Sequence, residues 1–542
     1  MHKIIFIADF FEEHVPGGGE LNNEQLINLL REKGYDVRKV QSHTVSPGLV
    51  REHRDEFFII SNFINLSFEC RQMLTELNYI IYEHDHKYLK SRNPAVYKDF
   101  KAPNKGIINY FFYKEAMAVV CQSNFHRNII LKNLDLDNVV SVGGNLWSLA
   151  SLKTIRGISK KEKKNGCSVL ESSIPHKNTL ATIKYCQAKK LNYDLVSDSN
   201  YIRFLEKLGA NKKFLFFPKT PETLSRVVVE ARMMNMSVLA NNLVGACEEP
   251  WFGLKGEKLI DYMTSKREEI AKTFVDVIES KKKINKTEIS IISTFHEGEE
   301  FLEDFLENIT SQSIFDKCEL ILIDAASTGK EKDIVINYTK KHDNILYYRL
   351  EEKLPVTPCL NMAIKKSSGK YLTFGFIDDR KERTCLETLL REIKKEPDVD
   401  LVYGDVLQTS IPNEKFEDSS STTLFEHSTY PFSRENMVKC LPGPMPLWTR
   451  LIHDKCGLFD DKECNYADDW DMWLRAVTRG SKFKKVDKTI GLYYTGGRSF
   501  HNDNLEQKKE EAKIFFRYSY LFGTNFNKYM SYFQQFLEGE DS

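Results

Sequence analysis

Short β-branched or aromatic runs alternate with helical stretches along the whole chain, and that alternation restricts the fold more than any other feature. "KIIFIAD", "EFFIISNF", "YIIYEHD" and "AVVCQS" are followed by "CSVLES", "YDLVS", "KFLFFP" and "SVLANN". Apolar strands separated by helices belong to parallel sheets covered on both faces, so the expected class is α/β. Around residues 264–288 an amphipathic helix runs into a lysine-rich polar segment, and at "EISIISTFHEGEEFLEDFL" the strand, turn and helix pattern starts again. The 542 residues exceed what one hydrophobic core organises. The expected division is residues 1–280, a linker at 281–287, residues 288–505 and an aromatic helical segment at 506–542. A further break near "KTIRGISKKEKKNG" splits the first half into two Rossmann-like lobes, about 1–155 and 165–262.

Composition works by exclusion. Lys plus Arg is 77 and Asp plus Glu is 77, so no global field recommends nucleic acid or an anionic membrane. Eleven scattered cysteines without a C-x-x-C pair point to reduced thiols and a cytoplasmic setting rather than to a disulfide framework or a zinc site. The N-terminus reads as a first strand and not as a signal peptide. No apolar run approaches the roughly 18–20 residues that span a bilayer, which leaves peripheral docking as the only expected form of membrane contact.

Two stretches carry chemistry in the first half. Gly17, Gly18 and Gly19 have no Cβ, so a phosphate or sugar can approach their N–H groups at a helix start; a flexible turn is the alternative. Their order does not match the dinucleotide fingerprint G-x-G-x-x-G. In "FPKTPETLSRVVVEARMMNMSVLANN", Thr220 is the predicted N-cap, Pro221 the first helical residue, and Leu224, Val227, Val228 and Ala231 the buried stripe. That arrangement sets Glu222 at the helix mouth and Glu230 two turns on. Two such carboxylates can accept hydroxyls from different parts of one extended ligand; the alternative is a first-turn acid followed by a solvated helix face. The strand end "EHDH" adds His84 and His86.

The segment P-E-x-L-x-R-V-V-V-E-A-R resembles the Glu-x7-Glu motif of family-4 retaining glycosyltransferases of the GT-B fold. By that resemblance Glu222 faces a donor sugar, Glu230 a ribose, and Gly18 and Gly19 a diphosphate. Lys177 in "SSIPHKNTL", with Lys219, takes the place of the family's phosphate clamp, and His84 and His86 become sugar contacts.

From residue 288 the chain resembles family-2 glycosyltransferases of the GT-A fold, which have a mixed sheet. The resemblance implies that Thr294 ends the first strand beside a nucleobase and that Asp324 ends the second and hydrogen-bonds the base, with Ala325 and Ala326 where a second aspartate and a glycine are usual. In "LPVTPCLNMAIKKSSGKYLTFGFIDDR" it implies that Asn361 contacts the nucleotide and that a D-x-D position binds metal. Phe376 stands at the first acid of that pattern, Asp378 at the second, and Asp379 follows. A hard Mg²⁺ or Mn²⁺ ion bridging carboxylate and diphosphate is the implied cofactor, held by Asp378 and, after the last strand, His501.

In "GPMPLWTRLIHDKCGLFDDKECNYADDWDMWLRAV", Asp468 and Asp469 precede a helix whose apolar members include Trp470, Trp473 and Leu474. The resemblance implies inverting transfer, with Asp469 as base, Asp468 orienting the acceptor and Trp470 stacking on a sugar face. The whole reads as a bifunctional enzyme using nucleotide sugars and a glycan acceptor, retaining in its first module and inverting in its second. One alternative makes the first half an acceptor-binding module; another makes a nucleic acid base the acceptor. The aromatic C-terminal stretch "IFFRYSYLFGTNFNKYMSYFQQFL" is expected to pack on the catalytic domain, on a second copy of the chain, or on a membrane surface.

Overall fold

A computed structural model describes residues 3–15, 17–280, 287–497 and 504–537. The chain divides into two units, Met1–Ala102 with Asn109–Lys283, and Pro103–Ile108 with Ile284–Ser542. The short stretch Pro103–Ile108 therefore departs from the expected cut near residue 280, because its contacts are with the second unit. Within that unit Lys105 Nζ meets Asp460 at 2.8 Å and Glu463 at 2.9 Å.

In the first unit β1 (Lys3–Ala8), β2 (Asp36–Gln41), β3 (Phe57–Ile60), β4 (Tyr79–Glu83), β5 (Ala118–Cys121) and β6 (Val139–Ser141) form one parallel sheet. Its order is β2-β1-β3-β4-β5-β6. Every residue of β3 and β4 is buried, as expected for strands covered on both faces. A second parallel sheet, β10-β9-β7-β8, is built from β7 (Lys164–Leu170), β8 (Tyr193–Val196), β9 (Asn211–Phe216) and β10 (Ser237–Ala240). Each sheet has its own core. The helix Glu257–Glu279 ties them together: Leu259, Ile260 and Met263 pack in the second core, and Ile270, Ala271, Phe274 and Ile278 in the first.

The predicted cap at Thr220 does not form. The helix is Arg226–Met233, entered through Ser225 at φ 71°, and the residues before it form bends around a single parallel bridge at Glu222. Glu222 N–H donates to the Leu243 carbonyl at 2.8 Å, and Gly245 N–H donates to the Glu222 carbonyl at 3.0 Å. A backbone ladder satisfies two groups that a side-chain cap would have left to solvent.

The second unit holds β11 (Ile289–Phe295), β12 (Cys318–Asp324), β13 (Ile345–Arg349), β14 (Tyr371–Phe374), β15 (Arg380–Lys381), β16 (Leu401–Thr409), β17 (Leu447–Thr449) and β18 (Phe483–Tyr494). The sheet order is β13-β12-β11-β14-β17-β16-β18-β15. Strands β13, β12, β11 and β14 are parallel, and β17 runs antiparallel to both of its neighbours, so the sheet is mixed. The C-terminal helices Leu505–Arg517 and Thr524–Gln534 pack around Phe515, whose ring stacks at 4.4–5.3 Å with Phe533, Phe526 and Phe522. All eleven cysteines are free. Among the described residues no helix is long and apolar enough to cross a membrane.

Candidate active sites

Ligands of parallel α/β sheets gather at the carboxyl ends of the strands. In the first unit the loops after β1, β4, β5, β7 and β8 and the helix Arg226–Met233 surround a cavity of about 430 Å³. It is lined by Gly18, Gly19, His84, Gln122, Lys177, Glu222, Arg226 and Glu230, among others. Six residues singled out from the sequence thus share one cavity. Glu230 is no solvated helix residue: it is 2% exposed, and its Oε1 accepts from Trp147 Nε1 (2.9 Å), Tyr201 OH (2.5 Å) and Arg226 Nε (2.9 Å). Arg226, which sequence reasoning missed, lies 4.6 Å over the Trp147 ring and donates to the Leu146 carbonyl at 2.7 Å. The only sequence signal for it was an arginine four residues before Glu230, the spacing of a helical ion pair.

Lys177 Nζ donates to both oxygens of Glu222, at 2.8 and 2.9 Å. Both ring nitrogens of His84 are engaged, with Asn23 Oδ1 at 2.8 Å and Gln122 Nε2 at 2.7 Å. Burial, aided by the nearby Lys87 charge, holds its pKa down at about 3, so the imidazole is neutral. Two expected members are not there. Lys219 is exposed and does not line the cavity; its backbone N–H donates to the His176 carbonyl at 2.8 Å. His86 turns into the protein at 1% exposure, with Nδ1 3.0 Å from Tyr88 OH and its ring edge-on to His126.

In the second unit Thr294 lies near the end of β11 and Asp324 ends β12, as expected. Asp324 is fully buried, however. Its Oδ1 accepts the Ser327 N–H at 2.8 Å and its Oδ2 the Tyr347 hydroxyl at 2.6 Å, with Arg349 Nε at 3.8 Å. Asp324 holds in place Tyr347 and the exposed Arg349, both from β13 and both unforeseen. Asn361, the expected nucleotide contact, is buried and engaged within the protein: its amide donates to the Phe459 carbonyl and accepts the Phe459 N–H, each at 3.0 Å.

Asp378 and Asp379 sit in the turn between β14 and β15. Asp379 is buried and accepts the Tyr494 N–H at 3.3 Å, while Asp378 is partly exposed. Burial raises the pKa of Asp378; burial and the adjacent Asp378 charge raise that of Asp379 further. Phe376, at the place of another acid, stacks on Phe374 at 5.2 Å. Adjacent carboxylates, one open to solvent, are a hard oxygen donor set that fits Mg²⁺ or Mn²⁺. His501 lies outside the described residues. A different cluster among the described residues, Asp460, Cys464 and Asp471, is close enough for an ion. Its acids are already matched by Lys105, Arg475 and Arg517.

Asp468 and Asp469 open the helix Asp468–Thr478. Asp468 Oδ1 accepts the Asp469 N–H at 3.0 Å and Asp469 Oδ1 the Trp470 N–H at 2.7 Å; the Cys440 thiol donates to Asp469 Oδ2 at 3.4 Å. Asp468 Oδ2 is buried without a hydrogen-bond partner. Burial raises the pKa of both acids, and the charge of Asp469 raises that of Asp468 further. Trp470 is not a sugar platform. It is 5% exposed, donates from Nε1 to the Met437 carbonyl at 2.9 Å, and faces the rings of Phe522 and Phe533.

Residues 290–449 match the family described as Glycosyl transferase family 2. An uncharacterized glycosyltransferase of Methanocaldococcus jannaschii, MJ1057, is 23% identical over 229 residues, which are 40% of this chain and 74% of that protein. A dolichyl N-acetyl-alpha-D-glucosaminyl phosphate 3-beta-D-2,3-diacetamido-2,3-dideoxy-beta-D-glucuronosyltransferase of Methanococcus voltae is 26% identical over 214 residues, covering 38% of this chain and 66% of its own. Among solved structures, residues 1–349 of S. aureus TarS align with a TM-score of 0.36 at 15% identity, over 45% of this chain and 72% of that one.

Proposed function

We propose that this chain, a glycosyltransferase with a family 2 domain in its C-terminal unit, transfers a sugar with inversion from a nucleoside diphosphate sugar to a glycan hydroxyl. The observation that carries the proposal is the acid pair at the mouth of the helix Asp468–Thr478, with raised pKa values and one oxygen without a partner. A general base must hold the acceptor proton near neutrality, and a carboxylate becomes competent when its surroundings raise its proton affinity. Asp469 takes the proton of the acceptor hydroxyl as that oxygen bonds to the anomeric carbon and the bond to the diphosphate breaks. Asp468 orients the acceptor beside it. Asp378 and Asp379 would hold a divalent ion, which when bound offsets diphosphate charge. Tyr347 and Arg349, braced by Asp324, form the nucleobase end.

The test is Asp469→Asn. It is expected to lower kcat by about 100-fold or more with donor KM unchanged, since a positioned base contributes roughly 10²–10⁴. In the wild type, kcat should rise with pH as the pair loses a proton. That limb should lie above the ordinary aspartate pKa of about 3.9. Wild-type turnover by the asparagine variant would refute the assignment.

For the first unit a specific observation favours the acceptor-binding alternative over a second transfer. Both cations lining the cavity that the sequence and structure single out, Lys177 and Arg226, are engaged by Glu222 and Glu230. That leaves little uncompensated positive charge for a diphosphate, whereas the carboxylate Oε2 of Glu230 and the surrounding amides suit a polyhydroxylated glycan. Glu230→Ala is expected to raise the acceptor KM while leaving acceptor-free donor hydrolysis unchanged. Donor turnover that falls in Asp469→Asn to a residual level, with that remainder lost in the double variant, would instead establish a second catalytic module.

A further inference from the structure

We infer that Glu510, on the helix Leu505–Arg517, is a positioning residue for the acid pair: its carboxylate holds the loop from which Asp468 and Asp469 enter their helix. The inference rests on the assignment of Asp469 as base. It concerns a part of the chain beyond the matched family segment, which ends at residue 449.

Three consecutive backbone N–H groups converge on Glu510. Asn465 donates to Oε2 at 2.8 Å, and Tyr466 and Ala467 donate to Oε1 at 2.9 and 2.7 Å. Ala467 is the N-cap of the helix Asp468–Thr478 and has no capping side chain of its own. A helix start normally satisfies its free N–H groups with a local Ser, Thr, Asp or Asn, and a carboxylate there also complements the helix dipole. Here the anchor comes from 43 residues downstream. The same C-terminal segment grips the helix at two further points. Asp471 accepts from Arg517 Nη1 at 3.3 Å and from Tyr518 OH at 3.0 Å, and Trp470 faces Phe522 and Phe533.

Position and charge act together. The groups facing the pair are Thr357 from the helix Val356–Lys366, the Cys440 thiol, and Glu510 and Glu511 from the helix Leu505–Arg517. None of these is a cation. The negative charge of Glu510 therefore favours the protonated form of the pair, and removing it shifts the pair toward a weaker base as well as a looser one.

Glu510→Gln in the full chain tests this, reading nucleoside diphosphate release from whichever nucleotide sugar the wild type turns over. The expected result is a fall in kcat on the order of tenfold or more, as small misplacements of reacting groups produce, with donor KM unchanged. The acid limb of kcat should also move to lower pH, and Glu510→Asp should restore it. Wild-type kcat and limb in Glu510→Gln would overturn the inference. So would a loss of kcat with an unmoved limb and a matching fall in melting temperature, the signature of a structural role alone. Should Glu510→Gln not fold, Glu510→Asp decides by rate: its shorter carboxylate keeps the charge but withdraws from the three N–H groups, so a lower kcat with an unmoved limb and an unchanged melting temperature is expected, and a wild-type kcat would overturn the inference. The two assignments fail separately: an active Asp469→Asn removes the base, whereas an inactive Asp469→Asn with an unmoved limb in Glu510→Gln removes only the role of Glu510.

Discussion

Asn361 is tied to Phe459 by both ends of its amide, donating to the carbonyl and accepting the N–H in a buried setting. Alanine there strands both backbone groups, so Asn361→Ala is expected to cost about 3 kcal/mol in urea unfolding, a sum of two lost buried partners. Donor KM in the residual folded enzyme should stay as it was; a rise in KM without loss of stability would return Asn361 to the nucleotide. Glu230 makes the complementary case, because one oxygen is held by three donors and the other carries no protein hydrogen bond among the described residues. At this scale the sequence revealed residue type and spacing, which was enough to set Asp468 and Asp469 at one helix start and to single out Glu222 and Glu230, which line one cavity. It did not reveal availability. Whether an amide or carboxylate is free depends on partners such as Phe459, 98 residues from Asn361, or Trp147, 83 residues from Glu230.

At the scale of elements, the strands were legible and the helix starts were less so. β3, β4, β11 and β12 are buried at every position, and their apolar runs announce this. Thr220 and Pro221 gave a sound local signal for a helix that begins five residues later, because pairing of Glu222 with the segment around Val244 wins over local capping. The helix Asp468–Thr478 was placed correctly, yet its anchor was invisible: Glu510 reaches it only through the packing of the C-terminal segment. That packing centres on Phe515, which is fully buried and stacked on three rings. Phe515→Ala is expected to destabilise the segment by about 4 kcal/mol, within the usual range for deleting a buried ring. Because Trp470 rests on two of those rings, its fluorescence should report the loosening at lower urea than the global transition, and kcat should fall with it. A single unchanged transition with wild-type kcat would show that the helix holds its place without the segment.

At the scale of the whole molecule, the change of composition marks one division, which falls between Lys283 and Ile284 inside the expected linker, but it does not mark the other. The lysine-rich segment near residue 280 marks the end of a helix, but Pro103–Ile108 belongs to the second unit although the residues on either side of it belong to the first. No sequence signal marks so short a stretch, since it has neither the length nor the periodicity of an element. Its importance lies in one charge. Asp460 has a side chain without exposed surface, and beyond the N–H groups of Lys462 and Glu463 at 3.2 and 3.3 Å it depends on Lys105 Nζ at 2.8 Å. Lys105→Met keeps the length of the side chain and removes the ion, leaving a buried carboxylate short of its counter-charge. Hydrogen bonds to charged groups are worth about 1.5–3 kcal/mol, so the variant is expected to lose about 2 kcal/mol in the unfolding of the second unit. The first unit, with separate cores around β1–β6 and β7–β10, should unfold as before. The same reasoning forecasts that a fragment starting at residue 287 is less stable than that unit within the full chain by at least this amount. Differential scanning calorimetry of the full chain, the Lys105→Met variant and the fragment separates the two: equal transitions for the second unit in all three would show that the early segment contributes nothing to its stability.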